Sequence, residues 1–206
     1  MQTPDRRPLA SRSSRWAQAT AAVLARSSVT PNQISLASIV FALAGAFALV
    51  RASPVMFLLA AICVQLRLLC NLLDGMVAIE GGKQSAVGAL YNEFPDRIAD
   101  SLLLVALGFA AGVPWLGWLA ALFAALTAYV RATGGALGLA QDFRGPMAKP
   151  QRMAVLTIAC VAGAAELAWN GTHYALTIAA ILIAAGSAAT CATRTLAIAR
   201  LLRERR

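Results

Sequence analysis

Six stretches of about 20 mainly apolar residues succeed one another along the 206-residue chain, separated by short polar, proline or glycine breaks. Wound as a helix, a stretch of that length reaches across the hydrocarbon core of a bilayer. With 59% hydrophobic and 13% charged residues, the chain lacks the polar surface that a soluble domain needs on every side. No strand-turn-strand alternation occurs, so the spanning elements are expected to be helices, which satisfy their own backbone hydrogen bonds in lipid. The expected fold is an all-α integral membrane protein.

The first apolar stretch runs from about Pro31 to Val50, and the second, after a break at residues 51–54, from Val55 to about Ile79. A third starts near Asn92 and continues through IADSLLLVALGFAAGV. Pro114 opens the fourth, which carries Arg131. The fifth covers Met153 to Trp169, and Asn170 and Gly171 turn the chain into a sixth, from about His173 to Thr193. Before them, SRWAQATAAVLARSS has arginines ahead of a short apolar run. That mimics a signal peptide, but the run is only about nine residues and a spanning stretch follows at once, so an amphipathic helix lying on the interface is expected. The chain then divides into a basic arm over residues 1–30 and a six-helix domain over residues 31–206.

Lys and Arg fall on alternate connections. Arg6, Arg7, Arg12, Arg15 and Arg26 precede the first span, Lys83 and Arg97 flank the second connection, and Arg144, Lys149 and Arg152 flank the fourth. Arg194, Arg200, Arg203, Arg205 and Arg206 close the chain, whereas the opposite side has only Arg51. Cytoplasmic flanks retain such cations during insertion, so both termini are expected in the cytoplasm. A bacterial inner membrane suits this pattern. The net charge of +9 is spread over membrane boundaries rather than gathered in one aromatic-interleaved patch. It points to anionic lipid and not to nucleic acid. Cys63, Cys70, Cys160 and Cys191 have no metal-ligand spacing and read as small core residues. His173, the single histidine, falls on the outer side.

Against this apolar background, NLLDGMVAIEGGKQSAVGALYNEFPD at residues 71–96 holds four of the nine acidic residues, and Asp100 follows one turn later. At helical spacing, Arg67, Asn71, Asp74 and Ala78 share one face, and Asn92, Asp96 and Asp100, with Glu93 beside them, form another stripe. Two such helix ends joined by EGGKQSAVG can gather oxygen ligands for a hard cation such as Mg²⁺. Acids marking a water-exposed loop would account for Glu80, but not for Asp100 or Arg67, which fall in or near apolar spans where ionisable groups are costly. Pro95 fits the first turn of a helix capped by Asn92, or kinks a helix that starts earlier.

These residues resemble the signature of the CDP-alcohol phosphotransferases, D-x-x-D-G-x-x-A-R, eight residues, then G-x-x-x-D-x-x-x-D. The chain reads Asn71-x-x-Asp74-Gly75-x-x-Ala78-Ile79, eight residues, then Gly88-x-x-x-Asn92-x-x-x-Asp96. Spacing is matched throughout, while Asn71 and Asn92 stand for the first and third aspartates and Ile79 for the arginine. VTPNQISLASI looks like the family's T-P-N-x-x-T pattern with Ser35 in the threonine's place. AYVRATGGALG followed by GPMAKPQR is similar to members that take a phosphorylated acceptor.

The resemblance implies transfer of a substituted phosphate from a CDP-linked lipid, commonly CDP-diacylglycerol, to an alcohol, with release of CMP. Glycerol 3-phosphate is the favoured acceptor, with inositol phosphate or another polyol phosphate behind it. It also implies Mg²⁺ or Mn²⁺, one ion or two, and a homodimer. Carried over by position, Asn71, Asp74, Asn92 and Asp96 hold metal, with Asp96 as general base. Asn32, Asp74, Gly75, Ala78 and Gly88 face the CDP donor, and Arg131, Lys149 and Arg152 receive the acceptor phosphate. The asparagines supply oxygen without charge, so Glu93 and Asp100 are expected to join the metal set. A non-catalytic membrane scaffold or binding protein built on the same fold is the alternative.

Overall fold

The computed structural model describes residues 14–205, among which every regular element is a helix. They are α1 (Arg15–Arg26), α2 (Pro31–Arg51), α3 (Pro54–Ile79), α4 (Gly88–Ala110), α5 (Pro114–Ala136), α6 (Lys149–Asn170) and α7 (Tyr174–Glu204). Proline opens α2, α3, α5 and α6, where its missing N–H is no loss and its fixed φ suits the first turn. Ahead of α2, Thr30 and Gln33 form a reciprocal capping box. Across the turn into α7, the Glu166 carboxylate accepts from Thr172 Oγ1 and from the backbone N–H groups of Tyr174 and Ala175, satisfying donors at the new helix end.

Helices α2 to α7 close into a ring. α2 packs on α3 and α4, α4 on α5, α5 on α7, α7 on α6, and α6 back on α3. Small residues allow the closest crossing. A Cβ on Gly108 would sit 2.6 Å from the Gly117 Cα, so α4 and α5 touch backbone to backbone. α3 and α4 are not close-packed partners, nor are α4 and α6. Their ends on the loop side of Asp74 and Asp96 therefore leave interior space for long polar side chains.

Five of these helices are long and apolar enough to cross a membrane. α4 matches them in length with 23 residues but carries Glu93, Asp96, Arg97 and Asp100 within its first 13. Three boundaries differ from the sequence reading. α4 starts at Gly88, because Leu90 and Tyr91 already donate to the Val87 carbonyl, so Asn92 is not a cap and Pro95 lies inside the helix. α6 starts at Lys149, one turn before Met153, with Pro150 in its first turn. α7 continues to Glu204 instead of stopping near Thr193, which draws Arg194 into the bundle at 4% exposure.

α1 lies against the membrane bundle. Ala17 and Ala21 are buried with Ile34, Leu72, Leu73, Met76 and Val77. Lys83 Nζ, from the α3–α4 connection, donates to the carbonyls of Ser27 at 2.5 Å, Val29 at 3.0 Å and Leu24 at 3.4 Å. Arg6, Arg7, Arg12 and Arg206 lie outside the described residues. The four cysteines are unpaired, and Cys63 and Cys160 are buried. His173 sits edge-on to Phe57 at 6.4 Å, at the end of the bundle remote from Asp74 and Asp96. Gly134 packs against Ile198 of α7, whereas Gly138, four residues on, lies past the end of α5 at φ +74° and takes no part in that packing.

Candidate active site

Asp74 is buried one turn before the end of α3, where α2 supplies its partner. Ser35 Oγ donates to Asp74 Oδ2 at 2.5 Å, and Asp74 Oδ1 is buried with no partner. Pro31 and the Thr30 cap set the start of α2, and Ser35 follows one turn later on the face turned towards α3. The T-P-N-x-x-S stretch thereby positions the hydroxyl that holds this carboxylate.

Asp96, on α4, is surrounded by donors. Its Oδ1 accepts from Asn71 Nδ2 at 2.7 Å and from Arg67 Nη2 at 3.4 Å, while Lys149 Nζ lies 2.5 Å from Oδ2 and Arg97 Nη2 3.6 Å from it. One turn deeper, Asp100 has both oxygens engaged. Arg67 Nη2 is 2.5 Å from Oδ1 and Arg152 Nη2 is 3.1 Å from Oδ2. Arg67 and Arg152 are 0% and 1% exposed, so these are fully desolvated charges. Such ions persist in an apolar interior only when paired. Arg152 Nη1 also donates to the Met147 carbonyl at 2.9 Å and to Thr127 Oγ1 at 3.4 Å.

A third group of cations borders the loop between α5 and α6. Arg131 donates to Glu93 Oε1 at 2.6 Å and to Gln141 Oε1, and its guanidinium stacks over Phe143 at 5.3 Å. The loop itself is tied to α7. Arg194 Nε donates to the Arg144 carbonyl at 2.7 Å, its Nη1 to the Thr127 carbonyl at 2.8 Å, and the Met147 N–H to Thr190 Oγ1 at 2.9 Å. Gly145 passes Thr190 at φ +127°, so close that a Cβ there would lie 2.4 Å from the threonine methyl. In the same loop, hydrogen bonds from the Arg144 side chain and backbone hold the Asp142 carboxyl below the usual carboxylate range.

Asn71, Asp74, Asp96, Lys149, Arg152 and Asp100 thus come together inside the ring, and Arg131 with Glu93 lies at its edge. Asn92 is exposed on α4, Gly88 heads that helix, and Asn32, Gly75 and Ala78 are half-buried. The expectation that Glu93 and Asp100 join a metal set meets a physical obstacle. Arg131 and Arg97 hold Glu93, and Arg67 and Arg152 occupy both oxygens of Asp100. Among the described residues, no three His, Cys, Asp or Glu side chains form a ready cage for a metal. Arg152, expected to meet an acceptor phosphate, is sealed behind Asp100 and Met147.

Sequence reading undervalued three residues. Ser35 stood out only as a variant letter in a pattern. Arg67 was notable for its apolar neighbours and its place one turn before Asn71, without a partner to give it a role. Arg194 read as a tail cation, and only the extra length of α7 reveals it as internal.

The sequence profile described as CDP-alcohol phosphatidyltransferase matches residues 28–190. An archaetidylinositol phosphate synthase of Aeropyrum pernix is 39% identical over 149 residues, covering 71% of this chain and 75% of that protein. The inner membrane protein YnbA of Escherichia coli is 41% identical over 76 residues, which is 36% of this chain and 38% of that one. Among solved structures, the phosphatidylinositol phosphate synthase of Mycobacterium tuberculosis with CDP-DAG bound superposes with a TM-score of 0.74 at 22% identity, covering 90% of this chain and 94% of that one. The same enzyme with manganese and citrate gives 0.74 at 23% identity, with 88% of each chain covered.

Proposed function

Given that the chain belongs to the CDP-alcohol phosphatidyltransferase family and is therefore a membrane transferase, we propose that it moves a phosphatidyl-type group from CDP-diacylglycerol or a related CDP-lipid to a phosphorylated polyol, releasing CMP. The acceptor that the observations favour is inositol phosphate. This departs from the glycerol 3-phosphate preferred on sequence grounds, because the relative matched over most of both chains is an archaetidylinositol phosphate synthase by name. The observation that carries the reading is a carboxylate pair, Asp74 and Asp96, beside a half-buried ammonium, Lys149.

A divalent ion fits this donor set. Asp74 Oδ1 is a buried carboxylate oxygen without a partner, and Asp96, although both its oxygens are engaged, has in half-buried Lys149 a partner that can give way to an ion, unlike the enclosed Arg67 and Arg152 on Asp100. Asp74 and Asp96 would hold Mg²⁺ or Mn²⁺, with Asn71 and Asn92 as neutral oxygen sources and Glu93 and Asp100 outside the set. When bound, the ion would neutralise charge on the pyrophosphate and on the departing CMP.

The chain's own groups do the rest. Asp96 accepts the proton of the attacking hydroxyl as the acceptor oxygen bonds to phosphorus and the bond to CMP breaks. Asn71, donating to Asp96 Oδ1, fixes the orientation of that carboxylate. Lys149 and Arg131 supply positive charge for the acceptor phosphate, and a guanidinium can take two phosphate oxygens at once. Gly75, Ala78 and Gly88 leave room for the cytidine end, with Asn32 at the head of α2 nearby. Lys and Arg placement orients this end of the ring towards the cytoplasm, and a homodimer belongs to the same proposal.

Purified protein in detergent, given CDP-diacylglycerol, Mg²⁺ or Mn²⁺ and either inositol phosphate or glycerol 3-phosphate, is expected to release CMP and form lipid with the first acceptor. Asp96→Asn should abolish release. Lipid formed with glycerol 3-phosphate alone would reverse the acceptor assignment, and full activity of Asp96→Asn would remove Asp96 as the base.

A further inference from the structure

We propose that Glu93 is a specificity-determining residue that reads the hydroxyl groups of the acceptor, favouring a phosphorylated polyol rich in hydroxyls over one with few. The inference rests on the reading of Arg131 as a cation for the acceptor phosphate. It names the group that meets the rest of that acceptor.

Of the four acids at the site, Glu93 is the one that water reaches. The side chains of Asp96 and Asp100 are 12% and 4% exposed and Asp74 is buried, whereas the Glu93 side chain is 43% exposed. It stands in the second turn of α4 and meets Arg131 towards the end of α5, with Oε1 2.6 Å from Arg131 Nη2. Its other oxygen, Oε2, has only a long contact, 3.5 Å from Arg97 Nη2. Arg131 is fixed on two further sides, because its Nη1 donates to Gln141 Oε1 and its guanidinium lies over the Phe143 ring at 5.3 Å. The cation is held in one place and one plane. A phosphate that docks on it therefore brings the remainder of the acceptor against the Glu93 carboxylate.

That carboxylate acts on an acceptor in two opposed ways. As an anion it repels the phosphate beside it. As a half-exposed acceptor it takes hydrogen bonds from hydroxyl groups, and bonds to a charged oxygen are stronger than those between neutral partners. A ring bearing many hydroxyls offsets the repulsion with such bonds. Glycerol 3-phosphate keeps a single free hydroxyl beyond the attacking one and offsets less of it. An attractive and a repulsive element on one side chain together separate the two acceptors. The fold has little need of the pair, since α4 and α5 already touch backbone to backbone at Gly108 and Gly117 and a half-exposed ion pair adds little to such packing.

The test measures kcat/KM for inositol phosphate and for glycerol 3-phosphate, with CMP release as the readout, in the unaltered protein, Glu93→Ala and Glu93→Gln. In Glu93→Ala the ratio of the first value to the second should fall by at least about tenfold, through a higher KM for inositol phosphate, while glycerol 3-phosphate improves or stays within about threefold. Glu93→Gln, whose amide oxygen can still orient Arg131 but carries no charge, should lower the ratio as well. Both acceptors are measured on one preparation, so a partly unfolded variant leaves the ratio intact. Equal losses for the two acceptors would mean that Glu93 only orients Arg131 and would overturn the proposal, as would a ratio that stays within about threefold in both variants. Failure of the functional reading looks different, since the unaltered protein would then release no CMP with inositol phosphate.

Discussion

Ser35→Ala probes the contact that most directly links the head of α2 to the chemistry. Ser35 and Asp74 are both 4% exposed, and the hydroxyl lies 2.5 Å from Asp74 Oδ2. Removing it leaves a second oxygen of a buried carboxylate short of a partner, since Oδ1 already has none. A hydrogen bond to a charged group contributes about 1.5–3 kcal/mol in soluble proteins. Neutral interhelical bonds in bilayers average only about 0.6 kcal/mol, because the unfolded chain in lipid finds substitutes. Asp74 carries charge and few groups can replace Ser35 at that depth, so the coupling should be about 1.5–2 kcal/mol, a factor of roughly 10–30.

A double-mutant cycle isolates that coupling from the other effects of each change. Ser35→Ala, Asp74→Asn and the pair are compared by reversible unfolding in mixed micelles. Ser35→Thr, which keeps the hydroxyl, should retain most of the interaction. In parallel, Ser35→Ala should weaken Mn²⁺ binding by about 2–13-fold, the cost of about 0.5–1.5 kcal/mol for ordering a side chain no longer held in place. A coupling below about 0.5 kcal/mol, with Mn²⁺ affinity unchanged, would refute the idea that α2 orients this carboxylate.

Other perturbations reach separate parts of the molecule. Lys83→Met removes the donor shared by the Leu24, Ser27 and Val29 carbonyls, so limited proteolysis between α1 and α2 should accelerate by about tenfold. Gly117→Ala would put a Cβ 2.7 Å from the Leu104 carbonyl oxygen and 2.8 Å from the Gly108 Cα, and overpacking of about 1–3 kcal/mol should lower the thermal midpoint. Arg131→Ala should raise the KM for the phosphorylated acceptor by about tenfold or more and leave the KM for the CDP-lipid nearly unchanged, as steady-state CMP release would record.

Apolar length and proline placement made the spanning helices legible, because both act locally. Pro31 and Pro114 mark helix starts in the sequence as they do in the structure. Local signals failed where a tertiary partner decided the boundary. α7 runs on past Thr193 because Arg194 finds the Arg144 and Thr127 carbonyls, two acceptors distant in sequence. At the site, helical periodicity brought Asn71 and Asp74 onto one face and Asp96 and Asp100 onto another. It could not say which cation would meet which carboxylate. Arg67, Arg97, Lys149 and Arg152 all lie within reach of the acids, and only packing assigns Lys149 to Asp96 and Arg152 to Asp100.

The two asparagines then have different explanations. Inside the ring, Asp74, Asp96 and Asp100 face Arg67, Lys149 and Arg152, three charges against three. Asn71 stands in this balanced group and uses its amide as a donor, 2.7 Å from Asp96 Oδ1. An aspartate there would bring a like charge to the oxygen that the amide now supports. The amide at position 71 thus donates to Asp96, which the ionised aspartate of the signature could not do. Asn92 is exposed near the start of α4, on the helical stripe that carries Asp96 and Asp100 deeper in. The departure from the signature is therefore chemical at the first asparagine, where a donor amide stands beside Asp96 in place of a carboxylate, whereas the second lies exposed near the head of α4.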